Sequence, residues 1–181
     1  MNTTLPILLT LLALLSASPR LQANGVAPNT RILPPGIHTG EFIGEGGRAI
    51  PAANGRIVVG SPNAIRNVNG TPVQTGGVYV FDSKSHQLIR TIFPSDGVAG
   101  GRFGESVAVS GNVMVVGSPN WGTSIVSNRG AVYLYNVTTG ALIRRIEPSN
   151  TNAGDLWGKS VAIEGDTLAY GARDHDGNTL G

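Results

Sequence analysis

The sequence predicts an all-β fold. Three observations carry that prediction. The 181 residues include 26 glycines and 11 prolines, and the Val, Ile and Leu residues sit in short runs bounded by these turn formers. A 14-residue segment with glycine at both ends occurs three times. Each copy is split in the middle by a two-residue turn of Gly, Asn or Asp, the composition of a tight β-hairpin. The hydrophobic fraction of 40% in bounded runs argues against disorder.

The N-terminus stands apart. Leu5 to Ala17 is apolar but too short to span a bilayer comfortably, and Leu21-Gln22-Ala23 offers a cleavage site. Residues 1–23 are therefore expected to be a secretory signal peptide, although MNTT carries no Lys or Arg and an uncleaved anchor is the alternative. Losing Arg20 with the signal lowers the formal charge from +2 to +1. No basic run exceeds Arg144-Arg145, so neither a nucleic-acid partner nor a polybasic membrane patch is expected. There is no cysteine, so packing and sheet hydrogen bonds must hold the chain without disulfides.

The repeat orders the rest. Gly104–Gly117 reads GESVAVSGNVMVVG, Gly158–Gly171 reads GKSVAIEGDTLAYG at offset 54, and Gly47–Gly60 reads GRAIPAANGRIVVG at offset 57. Val78–Asp82 aligns with Val132–Asn136, and Gln87–Pro94 with Ala141–Pro148, both at offset 54. Phe103-Gly104 recurs as Trp157-Gly158. The middle unit then predicts strands at Glu105–Ser110, Val113–Ser118, Gly130–Asn136 and Ala141–Ile146. The connections at Gly111-Asn112 and Val137–Gly140 are tight, whereas Pro119–Arg129 is a long loop.

Each unit is thus a four-stranded antiparallel meander, which cannot bury two apolar faces alone. Stacking such sheets around an axis can, and this favours a β-propeller over a two-sheet sandwich. Phe103 and Trp157 would pack between neighbouring sheets, and the glycine after each would let backbones approach.

Phe103-Gly104-x-Ser106-Val107-Ala108, Val115–Pro119 and Gly130–Tyr135, taken in that order, resemble the FG-GAP repeat, and Trp157–Ile163 with Gly171-Ala172 is similar. The resemblance runs from about Glu41 to Gly181 and implies seven-bladed propellers like the head of integrin α chains. It divides the chain into a leader at 24–40, repeats at 41–101 and 102–155, and a partial repeat at 156–181. The chain departs from the pattern at Phe42-Ile43-Gly44, where the first copy is degenerate, and at Arg173, where the third lacks the proline. Many integrin-type repeats carry a calcium loop between the first two strands. Here that connection has two residues, too few to supply the six or more oxygens Ca²⁺ takes, so no cofactor is expected.

About two and a half blades are visible, so a fragment, a truncated product or part of an assembly is expected. Further blades or self-association would cover the exposed edges. Arg31–Pro34 resembles the last strand of a unit and either clasps a closed ring or pairs with nothing.

Candidate chemistry is sparse. Gly44-Glu45-Gly46-Gly47-Arg48-Ala49 fits a dinucleotide fingerprint but precedes Pro51 and no helical period, and is rejected. Asp174, Asp176 and Asn178 alternate and form a weak calcium candidate. Their glycine falls two residues early and no distal Glu follows, so a solvated turn is preferred. His38, His86 and His175 are scattered, with His86 expected in an exposed turn. Ser106 and Ser160 recur in the repeat and are expected to be structural hydroxyls rather than nucleophiles. Asn69 and Asn136 fit the N-glycosylation pattern, which matters if the host is eukaryotic. No catalytic set is assembled.

The expected function is an exported, non-enzymatic binding or adhesion module. It is secreted, periplasmic or at the cell surface, and meets protein or glycan partners through its long loops. The alternatives are a hydrolase or lyase with its active site in further blades, and a structural spacer of a surface protein.

Overall fold

The structure is a computed structural model that describes residues 52–123, 127–147 and 152–174. The signal, the leader and the start of the first repeat lie outside these residues. All described elements are strands. The first sheet is formed by β1 (Ala52–Ala53), β2 (Arg56–Ser61), β5 (Gly77–Asp82) and β6 (Leu88–Ile92), in the spatial order β1-β2-β5-β6. The second is formed by β7 (Ser106–Ser110), β8 (Val113–Ser118), β9 (Ala131–Asn136) and β10 (Leu142–Ile146), again in chain order. A third unit supplies the hairpin β11 (Trp157–Glu164) and β12 (Thr167–Ala172). Every pairing between these strands is antiparallel.

The tight turns follow from where glycine stands. Asn54 and Gly55 both take positive φ, 51° and 69°, the signature of a type I′ turn. In Gly111-Asn112 and Gly165-Asp166 only the leading glycine does, at 53° in each, which matches type II′. Both turn types suit the right-handed twist of the flanking strands, so the order of the two residues can invert without altering the hairpin.

One element departs from the expected meander. The long loop of the first unit contains a hairpin of its own, β3 (Ile65–Val68) paired with β4 (Thr71–Gln74) around Asn69-Gly70. Both turn residues have positive φ, 51° and 85°. Arg66 Nη1 ties the hairpin back to the Pro94 carbonyl at 2.7 Å.

The inner strands carry the core. β5 and β8 are buried on both faces, which is why they read as unbroken apolar runs rather than alternating ones. Val58, Val78, Val80, Met114, Val116, Tyr133 and Phe103 meet between the first and second sheets, all nearly or fully buried. Burying each such side chain is worth about 1.5–3 kcal/mol, so this layer dominates stability. Phe103 meets Tyr133 and Tyr135 edge-on, with ring centroids 5.2 and 6.0 Å away.

The outer strands are managed differently. β6 and β10 each carry a bulge at the same repeat position, so that Ile89 and Ile143 have no partner in the ladder. Both side chains are turned outward and exposed. A bulge on an outer strand bends it and spoils it as a template for edge-to-edge pairing.

The units are joined by backbone rather than by side chains alone. A Cβ on Gly60 would collide with the Gly104 carbonyl, and one on Gly117 with the Gly158 carbonyl. Phe103 N–H donates to the Thr75 carbonyl at 3.1 Å, and Trp157 N–H to that of Arg129 at 2.9 Å. Parallel bridges pair Gly76 with Phe103 and Gly130 with Trp157. The aromatic–glycine segment thus docks its own main chain onto the preceding sheet, and only glycine leaves room for it. Ser106 is a structural hydroxyl at this joint, donating from Oγ to the Gly158 carbonyl at 2.7 Å.

Candidate functional site at the loop end

The sheets have two unlike ends. One gathers the tight turns, and its polar groups tie turns together, some within a unit and some between neighbouring units. Asn54 Nδ2 donates to the Gly111 carbonyl at 2.7 Å, and Gly165 N–H donates to Ser110 Oγ at 3.0 Å. Thr138 Oγ1 donates to Asn112 Oδ1 at 2.7 Å, and Arg90 bonds the carbonyls of Thr138 and Thr139. Asn136 Oδ1 accepts from the amides of Thr138 and Thr139, as Asp82 Oδ1 does from those of Lys84 and Ser85. These hydrogen bonds hold the Asp82 carboxyl below its ordinary value. His86 occupies the same left-handed position as Gly140, with φ of 59° and 74°, and is half-buried rather than exposed.

The other end gathers the long loop of each unit and the connectors between units. Two charged networks brace it. In the first, Asp96 of the connector accepts from the Tyr133 hydroxyl at 3.1 Å and pairs with Arg145, which also pairs with Glu147. The Arg145 guanidinium lies 4.2 Å over the Trp121 ring, and Trp121 Nε1 donates to the Asp96 carbonyl at 3.1 Å. Burial and the neighbouring Asp96 charge raise the Tyr133 hydroxyl far above its ordinary value, so it stays a proton donor. The same two causes push Tyr135 up to about 12.

In the second network Glu105 joins Arg102, at 2.7 Å, to Lys159 of the third unit. Burial raises the Glu105 carboxyl, but hydrogen bonds from Lys159 and Arg102 outweigh it and hold the group below its ordinary value. Arg102 and Leu156 both sit at φ of 58° at equivalent places in the two connectors, a strained conformation for non-glycine residues.

Between these braces lies a cleft of about 280 Å³ lined by Val98, Ala99, Asn120, Gly122, Thr123, Ser127 and Asn128. Its walls are fixed through main chain. Asn120 N–H donates to the Gly101 carbonyl at 3.2 Å, and the carbonyls of Ser127 and Asn128 accept from Gly154 and Leu156 at 3.2 and 3.1 Å. The side-chain amides of Asn120 and Asn128 have no hydrogen-bond partner among the described residues.

The sequence candidates distribute as follows. Asp174 stands at the repeat position of Asn120, and its amide donates to the Asp155 carbonyl at 3.4 Å as that of Asn120 does to Gly101. Its carboxylate is taken up by Arg173 at 2.8 Å, which lowers its pKa. Asp176 and Asn178 lie outside the described residues, as do His38, His175 and the glycine run 44–49. Among the described residues no three His, Asp or Glu side chains are grouped to hold a metal. Asn69 is exposed at the tip of the β3–β4 hairpin, whereas Asn136 has its side-chain oxygen engaged in its turn. No helix among the described residues is long and apolar enough to cross a membrane.

Sequence reasoning missed the Asp96 network and the extra hairpin. Asn69-Gly70 was a usable signal for the hairpin. Nothing in the sequence signals the Asp96 network: Asp96 and Arg145 lie 49 positions apart, and of its members only Tyr133 recurs, as Tyr79.

Stacked antiparallel meanders joined by aromatic–glycine segments define an all-β repeat module. Residues 88–135 and 142–181 match the FG-GAP repeat family, consistent with a partial repeat region. The first sheet, most of which precedes the matched residues, has the same strand order as the second. No curated protein matches the sequence. Among solved structures, the crystal structure of the computationally designed Ika8 protein is 14% identical, with 69% of this chain and 43% of that one covered and a TM-score of 0.28. The chain therefore spans less than half of that protein's length, and a likeness at this level carries no argument.

Proposed function

We propose that this chain is part of an exported β-propeller-type module, its meanders being blades, that binds a protein or glycan partner through its loop end without catalysing a reaction. The observation that carries this reading is the unequal use of polar groups at the two ends. At the turn end Asn54, Asn112 and Asn136 are engaged in bonds within and between units, whereas the loop end offers Asn120 and Asn128 unengaged on a braced main chain. Binding residues carried on loops over a rigid scaffold are the usual arrangement for recognition. The FG-GAP match supports the propeller-type architecture. Export rests on the N-terminal apolar segment, and completion of the ring on further blades or a second copy.

The test is alanine substitution at exposed positions of loops 63–75 and 120–129, read on immobilised glycans and purified surface proteins. Binding is expected to fall at least tenfold for loop-end variants. Equivalent changes at Ser83, Lys84 and Thr139 should leave it intact. Binding that survives every loop change and fails with the turn-end set contradicts the proposal.

A further inference from the structure

The loop-end cleft has a chemical bias that narrows its ligand. None of the seven lining residues among the described ones is charged. Of the charged groups on the flanking segments, Arg102 is paired with Glu105, Arg145 with Asp96 and Glu147, and Arg129, next to Asn128, is also engaged. An anionic ligand would find no counter-charge among these lining residues, and a cationic one likewise. What the lining does provide is two unengaged carboxamides, each with two donors and an acceptor, the Ser127 hydroxyl, and a small apolar patch from Val98 and Ala99.

A vicinal diol is itself both donor and acceptor, and a carboxamide satisfies it at both. The C–H face of a sugar ring suits a small apolar patch. Peptides recognised through main chain need a sheet edge or an extended groove. This cleft lies among loop ends and is short. Its volume sits at or just below the low end of ligand pockets, so one site should bind weakly, with Kd on the order of 1 mM.

We infer that the cleft lined by Val98 and Ala99 on one side and by Asn120, Gly122, Thr123, Ser127 and Asn128 on the other is a subsite for a neutral saccharide, held by the Asn120 and Asn128 carboxamides. This inference rests on the loop-end reading of the preceding subsection and adds the ligand class and the two residues that read it.

The experiment is a titration of the full chain, followed by NMR, with neutral oligosaccharides (maltohexaose, cellohexaose, chitohexaose and a mannan fragment), with polygalacturonate and heparin as acidic probes, and with an unstructured polar peptide. Saturable binding of at least one neutral probe, unaffected by raising salt from low to high concentration, is expected. Asn120→Ala and Asn128→Ala should each weaken it roughly three- to tenfold, and Asn120→Asp should weaken it too. Thermal melting of each variant, unchanged, shows that the loss is local. Binding of only the acidic probes, with strong salt dependence, overturns the ligand class and leaves the loop-end reading standing. The same holds if only the peptide binds. Neutral-sugar binding that is insensitive to both asparagine variants but lost on changing 63–75 overturns the cleft assignment. Absence of binding by every probe overturns the inference.

Discussion

The turn end and the loop end are built from the same kinds of residue, chiefly Asn, Gly, Ser and Thr, and yet they differ in what those residues are free to do. At the turn end, Asn54, Asn112 and Asn136 all hold neighbouring main chain or side chains. At the loop end, Asn120 and Asn128 hold nothing through their side chains. Polarity on a loop is therefore poor evidence of a binding surface. Uncommitted polarity on a braced main chain is better evidence, because a ligand can use it without first breaking a bond.

Three substitutions sharpen this contrast, in falling order of effect. Phe103→Ala should be the most damaging, at about 3–5 kcal/mol, because it empties the layer that carries both ends. Denaturant melts should show a large drop in midpoint, and a loss under about 1 kcal/mol would mean the aromatic is replaceable filler. Next, Asn112→Ala should cost about 1 kcal/mol by freeing Thr138 Oγ1, while leaving ligand binding unchanged. Asn120→Ala should do the reverse, with stability within about 0.5 kcal/mol of the parent.

A fourth substitution, Glu105→Gln, probes the brace. The Glu105 carboxyl lies below its ordinary value when folded, so its stabilisation is complete above the unfolded carboxyl's range and fades as pH falls through the folded value. The stability gap between the parent and Glu105→Gln should hence be constant from about pH 6 upward and close below about pH 4. A gap that stays open in acid would place its origin outside the Arg102–Glu105–Lys159 group.

Much of the fold is legible in the sequence because the repeat states it more than once. All four strands of the second sheet end within one residue of the positions expected from the repeat. Ser106 reads as structural because it recurs, and the bond to the Gly158 carbonyl explains the recurrence. The β3–β4 hairpin escapes because it occurs in one unit alone. Its strands alternate weakly, Pro72 demotes the second, and Asn69-Gly70-Thr71 also fits a glycosylation pattern. The loop-end cleft escapes for a different reason. Whether Asn120 is engaged depends on what its neighbours already bond, which no pattern of residue types records. Asn63 and Asn120 are equivalent in the repeat, yet only Asn120 lines the cleft.

The account stands most directly on where a partner touches the molecule. Amide chemical-shift mapping of the full chain with its ligand should show perturbations grouped at residues 98–102 and 120–129. Shifts grouped instead at 54–55, 111–112 and 138–140 would place recognition at the turn end and contradict it.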